Sequence, residues 1–135
     1  MKRLSMFILA CLLLLGAVSA FAGDVPDLTG KWKAESVALY RQGKGFVENT
    51  SPESYLVVKE QKGRLFHGVK MWTVDGKERS EVVNGVVTHK NEILVSETDD
   101  GFCHGDLMSP DEMILYYMEP GKDAKTIMYT YKRIR

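Results

Sequence analysis

The sequence predicts an all-β domain, an eight-stranded antiparallel barrel running up and down, preceded by a cleaved signal peptide over residues 1–22. Three observations carry this expectation. Apolar and polar residues alternate along much of the chain after residue 22, the pattern of a strand with one buried and one wet face. Short turns containing glycine, asparagine or proline separate these runs, and no stretch after residue 22 has a helical period. Sequential hairpins lay each strand beside its neighbour, and closing the sheet removes both open edges. A two-sheet sandwich is the alternative.

Residues 1–22 read as a targeting segment. Lys2 and Arg3 form a basic start, residues 6–18 are apolar, and Ser19, Ala20, Phe21 and Ala22 supply small residues for cleavage before Gly23. A lipid-anchored alternative would use Cys11, but four leucines follow it where a polar tether should begin. The expected destination is periplasmic or secreted, with no stable membrane span in the mature protein.

The mature chain then holds 113 residues, enough for one domain (residues 23–135) with one core. It carries 16 basic and 18 acidic residues with the signs interspersed, so it has no basic field for nucleic acid. Cys103 is its one cysteine, which excludes an intramolecular disulfide. The fold must be held by its core.

The first strand starts with Leu28, Thr29, Gly30, Lys31 and Trp32 and runs to about Tyr40, with Trp32, Ala34, Ser36 and Ala38 expected inside. Residues 41–53 contain two glycines and a proline without periodicity and read as a long loop, either a rim or lid over a binding site or a linker. Next comes a hairpin around Lys62 and Gly63, which sets Val58 against His67 and Leu56 against Val69. That register places Leu56, Val58, Glu60, Leu65, His67, Val69 and Met71 inside, and Lys59, Lys70, Tyr55, Val57, Phe66 and Trp72 outside. The turn at Asp75 and Gly76 sets Lys70 against Glu81, Trp72 against Arg79 and Val69 against Val82.

Residues 77–88 read as one long strand with a bulge at Gly85. Strands over 92–98, 102–108, 112–119 and 124–133 complete the set, joined by turns at His89 to Asn91, Asp99 to Gly101, Ser109 to Asp111 and Pro120 to Asp123. The 113–118 segment is apolar on both faces, so its outer face is expected to sit against a partner, a second copy of the chain being the hypothesis.

The run Leu28, Thr29, Gly30, Lys31, Trp32 resembles the opening of avidins, and its G-x-W core resembles the first-strand signature of lipocalins and related barrels. In lipocalins an arginine late in the last strand packs across that tryptophan, and Arg133 is the matching position. The resemblance implies a calycin-type barrel, whose members hold small, mostly apolar molecules in the cavity. The 33–36 segment does not continue as an avidin biotin loop, and only Trp32 and Trp72 are present to wall a pocket, so the implied ligand is not biotin. The layout is also similar to small exported bacterial barrels.

The expected binding residues are the interior polar and aromatic ones: Trp32, Glu60, His67, Ser80, Tyr117 and Tyr129. Tyr131 shares their face. In Cys103, His104, Gly105 and Asp106, alternation sends Cys103 and His104 to opposite faces, which argues against a local metal chelate and against a thiol paired with His104. Hydrolase, phosphate-loop and zinc-protease motifs are absent. The expectation is a non-enzymatic barrel without a cofactor or metal, binding a small hydrophobic or amphipathic ligand. The other class is a filled barrel acting as a protein-interaction or inhibitor module of the cell envelope.

Overall fold

The computed structural model describes residues 23–50, 52–99 and 101–135, so the expected signal segment lies outside the described residues. The strands are β1 (Gly30–Arg41), β2 (Gly45–Asn49), β3 (Ser54–Lys62), β4 (Leu65–Val74), β5 (Lys77–Val87), β6 (Glu92–Glu97), β7 (Phe102–Ser109), β8 (Glu112–Glu119) and β9 (Lys125–Ile134). Each strand from β3 to β8 pairs antiparallel with the next, and β1 closes the circle by pairing β3 on one edge and β9 on the other. The result is a closed eight-stranded antiparallel barrel. The ninth strand, β2, is an addition to it.

That ninth strand corrects the loop expected over 41–53. Residues 45–49 fold back on the end of β1, pairing Arg41 with Gly45 and Val37 with Asn49. β3 covers only residues 30–33 on the same edge of β1. The two short strands thus share one long neighbour, one at each end of the barrel.

The β3–β4 hairpin differs from its predicted register for a physical reason. Its two-residue loop is Gly63 and Arg64, so Lys62 faces Leu65 and Glu60 faces His67. A bulge between Val58 and Glu60 then sets Val58 against Gly68 and Leu56 against Lys70. An extra residue in one strand reverses the faces beyond it. Leu56 and Val58 stay inside, but Glu60 is turned out, and the inner face of β4 becomes Phe66, Gly68, Lys70 and Trp72.

The next turn keeps the expected register and inverts its meaning. Asp75 and Gly76 both adopt positive φ, 52° and 71°, as a tight hairpin turn requires. Lys70 does face Glu81, Trp72 faces Arg79 and Val69 faces Val82, yet Lys70 and Glu81 are the buried pair and Val82 is exposed. Val83 and Val87 hold the interior instead.

Two smaller corrections follow the same logic. A bulge between Ala34 and Ser36 hands the inner face of β1 from Trp32 and Ala34 to Val37, so Ser36 and Ala38 do not continue it. At Gly85 the pairing runs on without a bulge. Gly85 lies opposite Phe66, and a Cβ there would fall 2.0 Å from the tip of that ring. The glycine makes room for an aromatic ring inside a narrow barrel.

Candidate functional site

One end of the barrel is plugged. Leu28, Trp32, Val83, Val87, Ile93, Met113 and Tyr131 are all under 2% exposed and fill the interior near the start of β1 and the end of β9. Arg133 lies over Trp32 with its guanidinium carbon 4.3 Å from the ring centroid. It donates hydrogen bonds to the carbonyl oxygens of Thr29, Asp27 and Pro110 and sits 3.3 Å from Asp111. Trp32 in turn donates its Nε1–H to the Leu28 oxygen at 2.9 Å. The expected arginine–tryptophan contact is therefore present, and it seals the floor.

Above the floor the interior turns polar. Lys70 Nζ lies 2.7 Å from Glu97 Oε1, and Cys103 Sγ donates to the same oxygen at 3.4 Å. The rings of Tyr117, Tyr129 and Trp72 surround the ammonium at 4.6, 4.8 and 5.5 Å. Burial pulls the Lys70 ammonium down, but Glu97, helped by Tyr131 and Cys103, outweighs it and leaves the group above the ordinary lysine value. Burial pushes the Cys103 thiol up to about 12 and raises the Tyr129 and Tyr131 hydroxyls as well.

Glu81, directly across from Lys70 in the sheet, is 8% exposed and accepts the Asp99 N–H at 2.6 Å. Burial raises its carboxyl above the usual range, and the neighbouring Glu97 adds to that, against the opposing pull of the Asp99 N–H and Lys70. Nearer the mouth, Lys125 pairs with Glu119 at 2.7 Å, and Tyr117 donates its hydroxyl to the same carboxylate at 2.6 Å. The hydrogen bond from Lys125, followed by that from Tyr117, holds the Glu119 carboxyl below its ordinary value.

These groups line a cavity of about 260 Å³ bounded by Lys70, Glu81, Glu97, Asp99, Glu119 and Lys125. A second, mostly apolar cavity of about 440 Å³ adjoins it, walled by Val37, Leu39, Val47, Pro52 and Val74. Trp72, Lys125, Ile127 and Tyr129 line both. β2 contributes Val47 and Asn49 to the second cavity, so the segment read as a loop does form part of a rim. The barrel is closed at one end and hollow at the other.

The predicted site residues divide accordingly. Tyr117 and Tyr129 face the cavity, and Trp32 is inside but belongs to the floor. Glu60 and His67 are on the outer surface because of the β3 bulge; Glu60 pairs there with Lys62 at 2.9 Å, and His67 Nδ1 contacts the Asn84 amide oxygen at 3.0 Å. Ser80 is exposed and lines an outer groove with Tyr55 and Arg79. Phe66 and Trp72, expected outside, point in. Cys103 and His104 do take opposite faces, the thiol in and the imidazole out, where it lies 3.7 Å from Glu92.

Lys70, Trp72, Glu81 and Glu97 were missed by the sequence reading, although two signals pointed to them. Alternation from buried Ile93 and Val95 carries Glu97 inward. Phe66 and Trp72 flank Lys70 at two-residue spacing, and burying two large aromatics outweighs exposing one lysine.

No family model matches the chain, and no characterised protein matches it in sequence. Among solved structures it is similar to a redesigned β-barrel, with a TM-score of 0.56 at 12% identity, over 80% of this chain and 92% of that one. That likeness shows the fold alone.

Proposed function

We propose that this protein is an exported, non-enzymatic binding barrel of the calycin type that holds a small hydrophobic or amphipathic molecule, not biotin, at its open end. The observation that carries the reading is the apolar cavity of about 440 Å³ above a plugged floor. An eight-stranded barrel has room either for its own side chains or for one small ligand, and here the side chains fill one end and leave cavities at the other. Trp72, Ile127 and Tyr129 are the shared wall that a ligand would touch. The signal segment supports work in the periplasm or outside the cell.

Native mass spectrometry of the mature protein, purified gently from the export compartment of its host, tests the reading when set beside the denatured mass. Extra mass lost on denaturation supports it. Refilling the cavity with Ile127→Trp should abolish retention while leaving the fold intact. A bare chain that also ignores apolar probes in titration overturns it.

One observation favours a second reading, a barrel that works through its outer face. Tyr40, Phe46, Tyr116, Met118 and Met128 are all exposed, and they carry no charge across β1, β2, β8 and β9. Such a face is complementary to another copy of itself, so a homodimer through the outer face of the 113–118 strand is the partner proposed. Sedimentation across the micromolar range tests it: a monomer at the highest concentration rejects the dimer.

A further inference from the structure

Two neighbouring walls of the apolar cavity carry the same gradient from depth to mouth. Beyond its bulge β1 turns Val37, Leu39 and Arg41 inward, β9 answers with Tyr129, Ile127 and Lys125, and all six line the cavity of about 440 Å³. The pairing sets them rung against rung: Val37 opposite Tyr129, Leu39 opposite Ile127, Arg41 opposite Lys125. Two apolar rungs therefore lead up to a cationic one. Four strand residues separate the first rung from the last, about 13 Å, a length that a medium-chain alkyl group spans.

The top rung is short of negative charge. Like charges directly opposed across antiparallel strands repel each other. Lys125 is answered by Glu119, its partner on β8, at 2.7 Å. Arg41 is not answered: its partner on β2 is Gly45, and no carboxylate lies within ion-pair distance of its guanidinium among the described residues. Glu119 acts on it only from farther away. Lys44, in the turn between β1 and β2, adds a second cation without an ion pair to the same rim.

The carboxylates sit elsewhere. Glu81, Glu97, Asp99 and Glu119 line the polar cavity, and none of them lines the apolar one. Glu53 does, but its carboxylate accepts the Tyr55 hydroxyl at 3.1 Å, and both residues line the outer groove. A ligand lying along the ladder meets apolar side chains first and then a guanidinium, whose planar fork fits a carboxylate.

We propose that the occupant is a medium-chain amphiphile with an anionic head, its tail along Val37, Leu39, Ile127 and Tyr129 and its head held by Arg41, with Lys44 beside it at the rim. This rests on the binding-barrel reading and adds the orientation of the ligand and the sign of its head group.

Calorimetric titration with decanoate, decanol and decylammonium, which share one chain length, tests it at neutral pH below their micelle-forming concentrations. Decanoate should bind tightest, by about tenfold over decanol, the scale of one charge-assisted hydrogen bond, and decylammonium weakest. Arg41→Gln should remove most of the ratio between decanoate and decanol. If Arg41→Gln does not fold, Lys44→Gln in the exposed turn should narrow the same ratio in smaller measure. Decanol or decylammonium binding as tightly as decanoate, or a ratio that survives these substitutions, overturns the anionic head while leaving the binding barrel in place. Failure of all three to bind overturns both.

Discussion

Lys70 and Glu97 meet at 2.7 Å inside the barrel, with side chains only 9% and 2% exposed. Both side chains are almost wholly withdrawn from solvent. Removing one partner strands the other charge, at a cost of about 3–5 kcal/mol, whereas replacing both by apolar groups is far cheaper. Lys70→Met should therefore destabilise the protein by that amount in urea unfolding, and Lys70→Met with Glu97→Leu should regain much of it. A single variant within about 1 kcal/mol of the parent would mean that the pair is solvated in practice.

Trp32 and Arg133 test the floor. Trp32 is fully buried and bonded to the Leu28 carbonyl, so Trp32→Ala should cost about 3–5 kcal/mol through the cavity it opens. Arg133→Lys keeps the charge but loses the planar stack and the forked donors that hold Asp27, Thr29 and Pro110. It should cost about 1–2 kcal/mol. Tryptophan fluorescence during denaturation reads both, and an unchanged midpoint for Arg133→Lys would show that the arginine merely rests on the ring.

The barrel was legible in the sequence because its signals are local and repeated. Turn residues such as Asp75 and Gly76 fix where strands end, and β8 was read at Glu112–Glu119 to the residue. The site was less legible because it depends on parity. One bulge beside Lys59 moved Glu60 and His67 out and brought Phe66, Lys70 and Trp72 in, and nothing in the residue types at 58–60 announces a bulge. The short strand β2 was missed because its residues are nearly all exposed and so show no buried alternation. Tyr117 and Tyr129 were found because the last strands carry no bulge between them and alternation holds throughout.

Gly85 and Phe66 are a matched pair. A methyl at Gly85 would lie 2.0 Å from the Phe66 ring, and both belong to facing strands that cannot part without breaking the barrel wall. Gly85→Ala should cost about 1–3 kcal/mol by overpacking. Combining it with Phe66→Leu should cost less than the two single changes added together. Additive losses in thermal denaturation would show that the glycine is kept for its backbone rather than for the ring.

Cys103 reports on whether the charged layer opens. Its thiol is buried and bonded to Glu97, and burial raises its pKa from 9.0 to about 12. The folded state therefore keeps the proton over a range in which the unfolded chain loses it. Its contribution to stability is complete below about pH 9 and is lost as pH rises toward 12, in the same direction as the raised Tyr129 and Tyr131 hydroxyls. Reaction with Ellman's reagent at pH 8 should then proceed at the rate of opening and remain independent of reagent concentration in the limit of excess reagent. Urea midpoints should fall between pH 9 and 12, and Cys103→Val should flatten part of that slope. Immediate labelling of the native protein would show instead that the hollow end admits solvent down to Glu97.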